Sequence, residues 1–275
     1  MRTERLIRLA LREDLGSRGD LTTRFFVPPG LRLKGRVVAK ADGVVCGAAV
    51  AARVFRSVCP RCRVRVLRPD GRAVRRGQVI MTVEGGREIM SAERTALNFL
   101  QHLSGIATLT RRFVLKTRGT RARIYDTRKT LPGWRELAKY AVRCGGGRNH
   151  RMGLYDAVLV KDNHWSGGPD LESSARLLRR SHPRVPIQIE AKSLGQVQRA
   201  LSAGADMILL DNMATARLKD AIALIRGRSP RTRIEISGGV TLSNVRGLAK
   251  LGPDRISIGR LTHSAPALDM SLEIP

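Results

Sequence analysis

From about residue 120 onward, short apolar runs alternate with amphipathic segments. The runs lie at 123–127, 157–162, 187–191, 207–212, 233–237 and 255–259. Between them, helical patterns occupy roughly 134–143, 170–181, 193–203, 214–226 and 241–251. Strands separated by helices pair in parallel, because a parallel partner is reached only through a crossover. This half of the chain is therefore predicted to be an α/β barrel or an open parallel sheet. No G-x-G-x-x-G turn follows any of the strands, so nothing here reads as a dinucleotide crevice.

Each apolar run stops at polar residues. In order they are Asp126 with Thr127, Arg128 and Lys129; Lys161 with Asp162; Glu190; Asp211; Ser237-Gly238-Gly239; and Ser257 with Gly259 and Arg260. The C-terminal ends of barrel strands open on one face, where catalytic groups collect. In an open sheet the same ends would line a crevice. The glycine turns at 237–239 and 257–260 suit a phosphate, since backbone N–H groups there can approach an anion closely.

The stretch 144–151, C-G-G-G-R-N-H-R, adds glycine freedom beside His150 and Arg151. Arg128, Lys129, Arg151 and Lys161 form a cationic set. Arginine grips carboxylate or phosphate with two parallel bonds, whereas lysine acts as a mobile point charge. Glu190 and Asp211 suit sugar hydroxyls, or a Mg²⁺ carried by phosphates. His150 reads as a hydrogen-bond donor or proton shuttle. His164 and His263 also lie near strand ends, and His164 reads equally as a loop cap. A lysine in a barrel mouth also permits Schiff-base chemistry, with Lys161 or Lys129 as the amine of an aldolase. The neighbouring cations and glycine turns favour phosphates instead.

The first third of the chain differs. Alternating runs at 31–34, 36–40, 63–67 and 79–83, split by turn residues, predict a half-exposed, mostly antiparallel sheet. A helix follows, with Ser91 as its expected N-cap and Gly105 as its expected end. The amphipathic segment 1–11 is predicted to be the first helix, because Glu4, Glu13 and Asp14 argue against a transit peptide.

The net charge of +28 invites a nucleic-acid reading, but composition opposes it. Only nine of the 51 basic residues are lysine, arginine is spread along the whole chain, and aromatics make up 4%, too few for a base-stacking platform. No specific nucleic-acid role is expected. The apolar runs are too short for a membrane span. Cys46, Cys59, Cys62 and Cys144 read as thiols of a reducing cytoplasm; Cys59-Pro-Arg-Cys62 has no second C-x-x-C to complete a zinc site.

Several ordered motifs carry a family resemblance. They are E-D-L-G-S-R-G-D-L-T-T (13–23), A-D-G-V-V-C-G (41–47), E-R-T-A-L-N-F-L (93–100), L-S-G-I-A-T (103–108) and D-T-R-K-T (126–130). They continue with K-Y-A-V-R-C-G-G-G-R-N-H-R-M-G-L-Y-D (139–156), K-D-N-H (161–164), G-A-D-M-I-L-L-D-N-M (204–213), S-G-G (237–239) and L-T-H-S-A-P-A-L-D (261–269). Nearly end to end, the chain resembles the quinolinate phosphoribosyltransferase family.

The resemblance implies an N-terminal α/β sandwich over 1–105, an incomplete parallel α/β barrel over 106–263, and a tail, 264–275, that returns to the sandwich. It implies transfer of the phosphoribosyl group of phosphoribosyl pyrophosphate to quinolinate with decarboxylation, in de novo NAD synthesis. Mg²⁺ is the implied cofactor, held mainly by substrate phosphates with Glu190 and Asp211. The family implies a cytoplasmic homodimer or larger homo-oligomer. By motif, Arg128, Lys129, His150, Arg151 and Lys161 would bind the quinolinate carboxylates and nearby phosphate, with Thr127 beside them. Arg94 would reach in from the partner subunit. Glu190 and Asp211 would hold ribose hydroxyls and the Mg²⁺–pyrophosphate. Ser237, Gly238, Gly239, Ser257, Gly259 and Arg260 would cradle the 5′-phosphate. Catalysis would fall to Lys129, Lys161, Glu190 and Asp211. Four positions depart from the family pattern: Leu131 and Trp134 stand where Thr and a smaller apolar residue are usual, Gln188 where an acidic residue is, and Arg260 where a small residue is. A relative acting on another pyridine carboxylate would need fewer cations.

Overall fold

The structure, a computed structural model, describes residues 2–168 and 170–275, so Met1 of the predicted first helix lies outside it. The chain forms two compact units. The first holds residues up to Arg111 together with Thr130–Gly146 and Leu261–Pro275; the second holds Arg112–Lys129 and Gly147–Arg260. No helix among the described residues is long and apolar enough to cross a membrane.

The first unit begins with helices α1 (Arg2–Leu15) and α2 (Leu21–Phe26). Strands β1 (Arg32–Ala39) and β2 (Gly43–Val44), helix α3 (Ala48–Val58), and strands β3 (Arg63–Val66), β4 (Ala73–Val74) and β5 (Val79–Gly86) follow. The main sheet is antiparallel, ordered C-terminal strand Met270–Glu273, β1, β5, β3. One face of it is apolar, with Val37, Ala39, Met81 and Val83 buried; α3, whose Val54 and Phe55 are buried, packs on β3 and β5. The tail therefore enters the sheet as an edge strand, pairing Val37 with Leu272 and Ala39 with Met270.

The long helix α4 (Glu88–Lys116) departs from expectation at both ends. It starts before Ser91, whose Oγ donates to Asp20 Oδ2 at 2.8 Å instead of capping. It also runs straight through Gly105. A Cβ at Gly105 would lie 2.1 Å from the Pro266 carbonyl oxygen, so this glycine admits a crossing backbone and does not end the helix. The crossing is fixed by Leu268 N–H to Gln101 O at 3.0 Å and Gln101 Nε2 to Met270 O at 2.8 Å.

Helix α5 (Arg135–Cys144) belongs to this unit, although the sequence reading placed 106–263 as one barrel. Its approach is set by aromatic contact: Trp134 stacks on Phe99 with centroids 4.9 Å apart and meets His102 edge-on. Tyr140 donates to Asp70 Oδ2 at 2.9 Å. This explains a large residue at Trp134, where the resemblance suggested a smaller one.

In the second unit, β6 (Arg123–Tyr125), β7 (Val158–Val160), β8 (Ile187–Ala191), β9 (Met207–Asp211), β10 (Arg233–Ser237) and β11 (Arg255–Ser257) form one sheet. All of its pairings are parallel and the order is β6-β11-β10-β9-β8-β7. Neighbours follow chain order until β11 closes back on β6. Among the described residues β6 and β7 do not pair, and a single bridge from Tyr125 to Arg148 occupies that side of β6. This is the incomplete barrel. Helices α6 (Asp162–Trp165), α7 (Leu171–Ser181), α8 (Leu194–Ser202), α9 (Thr215–Arg228) and α10 (Val245–Lys250) connect the strands, and the short α11 (Arg260–His263) follows β11. Two of their starts match their sequence: Asp170 caps α7 through Ser173 N–H, and Ser193 caps α8 through Gln196 N–H.

At the strands' N-terminal end, Asp254 accepts from Ile234 N–H (2.8 Å), Arg226 (2.8 Å) and Arg121 (2.5 Å). Burial pushes its pKa up, but these donors outweigh burial and hold it below the ordinary aspartate value.

Two expectations follow. Alanine in an open mid-helix glycine position gains about 1 kcal/mol. At Gly105 a backbone oxygen blocks the methyl, so Gly105→Ala is expected to lose about 1–3 kcal/mol in denaturant unfolding; a more stable variant would contradict the crossing. A depressed folded pKa stabilises above the unfolded value and is lost as pH falls through the folded one. Stability should therefore drop as pH falls below about 4, and Asp254→Asn should flatten that limb in pH-dependent thermal unfolding.

Candidate active site

The second unit's functional groups follow from strand alternation. In β8, Gln188 and Glu190 point to one side, and Ile187, Ile189 and Ala191 to the other. In β10, Arg233, Glu235 and Ser237 share a side. Every residue of β8 is buried, so its polar side faces the barrel interior.

The middle of β10 carries Glu235, which is fully buried. Its Oε2 accepts from Gln188 Nε2 at 2.9 Å, and its Oε1 faces His150 Nε2 at 3.4 Å. Burial pushes the Glu235 pKa up, but His150, Ser257 and Gln188 together outweigh burial and keep it low. The other ring nitrogen of His150, Nδ1, accepts from Arg151 N–H at 2.8 Å. An accepting Nδ1 leaves the ring proton on Nε2, toward the carboxylate. The loop is also tied to β6: His150 N–H donates to Oδ1 of the buried Asp126 at 2.8 Å, and Asp126 N–H to Arg148 O at 3.1 Å. His150 is thus turned inward, 9% exposed, and braces the loop that carries Arg151.

Arg151 donates to Ala157 O at 2.8 Å. Its pKa is pushed down first by burial and then by the charge of Arg128, with Asp156 opposing. Arg128 and Arg151, both half-buried, thus act on one another electrostatically, an arrangement that favours an anion. Thr127 Oγ1 accepts from Lys129 N–H at 3.0 Å and turns the chain so that Arg128 and Lys129 leave β6 together.

Lys161 follows β7. Its N–H donates to His164 Nδ1 at 2.8 Å, so His164 closes the first turn of α6. Glu190, 7% exposed at the end of β8, has its pKa raised first by burial, then by Asp211 and Asp162, against Lys161 and Lys192. Lys192 pairs with Asp162 at 2.8 Å. At the end of β9, Asn212 takes a left-handed backbone (φ 53°) and donates to Asp211 Oδ2 at 2.8 Å. Asn212 N–H also donates to Ser237 O. A Cβ at Gly238 would lie 2.2 Å from Asn212 Oδ1, and Gly238 and Gly239 both have positive φ (87° and 57°). Asn244 Nδ2 donates to Gly239 O at 2.9 Å and braces the turn from the far side. Ser257 is buried, Gly259 half-buried, and Arg260 exposed at the start of α11.

All the strand-end residues expected from the sequence thus belong to this unit. Arg94 does not: it lies exposed on α4, in the first unit. His263 bonds Ser264 Oγ at 2.6 Å, also in the first unit. Sequence reading passed over Glu235, Asn212 and Lys192. The signal for Glu235 was its place two residues before Ser237, on the same side of β10. The signal for Asn212 was Asp-Asn at a strand end, since asparagine tolerates a left-handed backbone.

Glu190 and Asp211 are single carboxylates from adjacent strands. Among the described residues, the tightly grouped metal-type ligands are Cys46, Asp70 and Cys144 in the first unit. The strand-end set fits a Mg²⁺ that keeps most of its oxygens from phosphates and water.

A parallel barrel with cations, carboxylates and two glycine turns at its strand ends is an anion-handling enzyme of the phosphate-binding barrel class. Family models for the quinolinate phosphoribosyl transferase N-terminal and C-terminal domains match residues 20–104 and 106–273. The nicotinate-nucleotide pyrophosphorylase [carboxylating] of Mycobacterium leprae is 42% identical over 98% of this chain and 95% of its own length. The chloroplastic enzyme of that name from Arabidopsis thaliana is 39% identical over 98% of this chain and 82% of its own. The nicotinate-nucleotide pyrophosphorylase structure from Ehrlichia chaffeensis superposes with a TM-score of 0.93 at 37% identity, covering 99% of this chain and 98% of that one. The chain belongs to the quinolinate phosphoribosyltransferase family.

Removing the Glu235 carboxylate strands the Gln188 amide and the His150 N–H. Glu235→Ala is expected to cost about 2–4 kcal/mol of unfolding free energy, measured by urea denaturation. A loss below about 0.5 kcal/mol, the usual effect of a surface change, would contradict the network.

Proposed function

We propose that the chain transfers the phosphoribosyl group of phosphoribosyl pyrophosphate to quinolinate with decarboxylation, giving nicotinate mononucleotide, pyrophosphate and CO₂ in de novo NAD synthesis. The observation that carries this reading is the half-buried pair Arg128 and Arg151, whose charges act on one another, in a chain of this family, with Lys129 next to Arg128 in sequence and Lys161 at the end of β7. Quinolinate brings two adjacent carboxylates. One guanidinium holds a carboxylate bidentately, and a second carboxylate needs the second cation. A mono-acid such as nicotinate would leave part of that charge uncompensated.

Ser237-Gly238-Gly239 and Ser257 to Arg260 hold the 5′-phosphate through backbone N–H groups. Glu190 and Asp211 accept hydrogen bonds from the ribose hydroxyls. As the C1′–O bond breaks, the ribose gains positive charge, which these carboxylates stabilise, and the leaving pyrophosphate gains negative charge, which Lys129 and Lys161 stabilise. This is preorganised electrostatics, with no covalent nucleophile. Mg²⁺, when bound, neutralises pyrophosphate. After glycosylation the ring nitrogen is cationic and serves as the electron sink for loss of CO₂. His150 acts here by holding Arg151 in place. Arg94 completes the site from the partner subunit of a cytoplasmic homodimer.

The test is product formation from quinolinate and from nicotinate in parallel, with Mg²⁺. Turnover with quinolinate alone is expected, and equal use of nicotinate would overturn the substrate assignment. Lys129→Ala should lose two to three decades, about 3 kcal/mol. Arg94→Ala and Lys129→Ala, each nearly inactive, should recover about a quarter of native activity when mixed, because half of the re-formed two-fold dimers carry one intact site. No recovery would contradict a shared site. Borohydride trapping on Lys129 or Lys161 would instead support the aldolase chemistry.

A further inference from the structure

The first unit holds a thiol pair that the proposed reaction does not use. Sγ of Cys46, Sγ of Cys144 and a carboxylate oxygen of Asp70 lie within 4.8 Å of one another. Cys46 follows β2 and is fully buried, its backbone fixed by Ser104: Cys46 N–H donates to Ser104 Oγ at 2.9 Å, and that hydroxyl donates to Cys46 O at 3.1 Å. Cys144 ends α5 and is half-buried, so solvent can reach it. Asp70 is committed elsewhere, accepting from Ala48 N–H at 2.9 Å and from Tyr140 at 2.9 Å. With both carboxylate oxygens occupied, the cluster is poorly suited to a metal cage and well suited to chemistry between its two sulfurs.

We propose that Cys46 and Cys144 form a reversible disulfide in response to peroxide, with Cys144 as the attacking thiol and Cys46 as the resolving one. The polarity of the pair supports this assignment. The S–H of Cys46 lowers the Cys144 pKa, helped by Tyr140 and Arg143 against burial and Asp70. The Cys46 pKa is pushed up, first by Cys144 and then by burial. A solvent-reachable thiol with a lowered pKa beside a protonated partner is the arrangement found in peroxide-sensing cysteines. The Cys144 thiolate attacks one oxygen of hydrogen peroxide; the S–O bond forms, the O–O bond breaks, and hydroxide leaves. The Cys46 sulfur then attacks the Cys144 sulfenic sulfur; S–S forms, S–O breaks, and the oxygen leaves as water with the Cys46 proton. Two thiols lose two electrons and one peroxide becomes two waters.

The other thiols serve as an internal control. Cys59 and Cys62 are buried against Gly85, whose added Cβ would meet Cys59 Sγ at 3.0 Å. Burial, and then Cys59, push Cys62 up to about 11.

The experiment treats the full-length protein with limiting hydrogen peroxide, blocks free thiols, and maps non-reduced peptides by mass spectrometry. A Cys46–Cys144 linked peptide is expected, removed by dithiothreitol, with Cys144 consumed at least tenfold faster than Cys59 or Cys62. In Cys46→Ser given excess peroxide, Cys144 should advance to the sulfinic acid, each oxidation consuming one further peroxide; in Cys144→Ser, Cys46 should stay reduced. Persistence of both thiols, linkage of Cys59 to Cys62 first, or a Cys46→Ser protein whose Cys144 resists oxidation would each overturn the proposal. None of these readouts depends on the transferase reaction.

Discussion

A carboxylate with no exposure to solvent is the constraint from which the barrel interior follows. An uncompensated charge there would cost several kcal/mol, so Glu235 must be surrounded by donors. Gln188 reaches it from β8, Ser257 from β11 and His150 from the glycine-rich loop. One buried group on β10 thereby ties two other strands and a loop together. Because His150 is held on both ring nitrogens, the neighbouring Arg151 is placed by a chain of contacts that begins in the barrel centre. Gln188, which departs from an expected acidic residue, makes sense in this light. An amide donates to Glu235, whereas a second carboxylate at 2.9 Å would repel it unless the two shared a proton.

Much of the second unit was legible in the sequence because short strand-like runs alternate with helical patterns, the signature of a parallel sheet. Ile187 to Ala191 and Met207 to Asp211 were found to within a residue. The strand-end residues were legible for the same reason, as polar stops after apolar runs. The interior network was not, since a single Glu inside I-E-I looks like any other polar residue until the partner strand is known. Asn212 was hidden in a similar way: its role depends on Gly238, which follows the next strand.

The first unit was read less well at its boundaries. Gly105 suggested a helix end because glycine disfavours helix interiors. The structure uses it for a backbone crossing made by a segment some 160 residues later in the chain. Likewise, the pattern at 134–143 correctly marks a helix, yet its membership is decided by Trp134 on Phe99 and Tyr140 on Asp70. Local patterns specify elements; only long-range contacts specify which elements belong together.

That crossing also bears on how the protein is made. The strand Met270–Glu273 pairs with β1, and the Gly105 notch is filled by Pro266 and Ala267. Both lie more than 200 residues after β1. During synthesis from the N-terminus, β1 therefore emerges long before its edge partner exists, leaving a row of backbone groups open. Loop closure across such a distance slows folding and lengthens the exposure of unpaired strand edges. The first unit cannot be completed until residues 266–273 have been made, so β1 spends most of that interval with an edge open that the folded molecule covers.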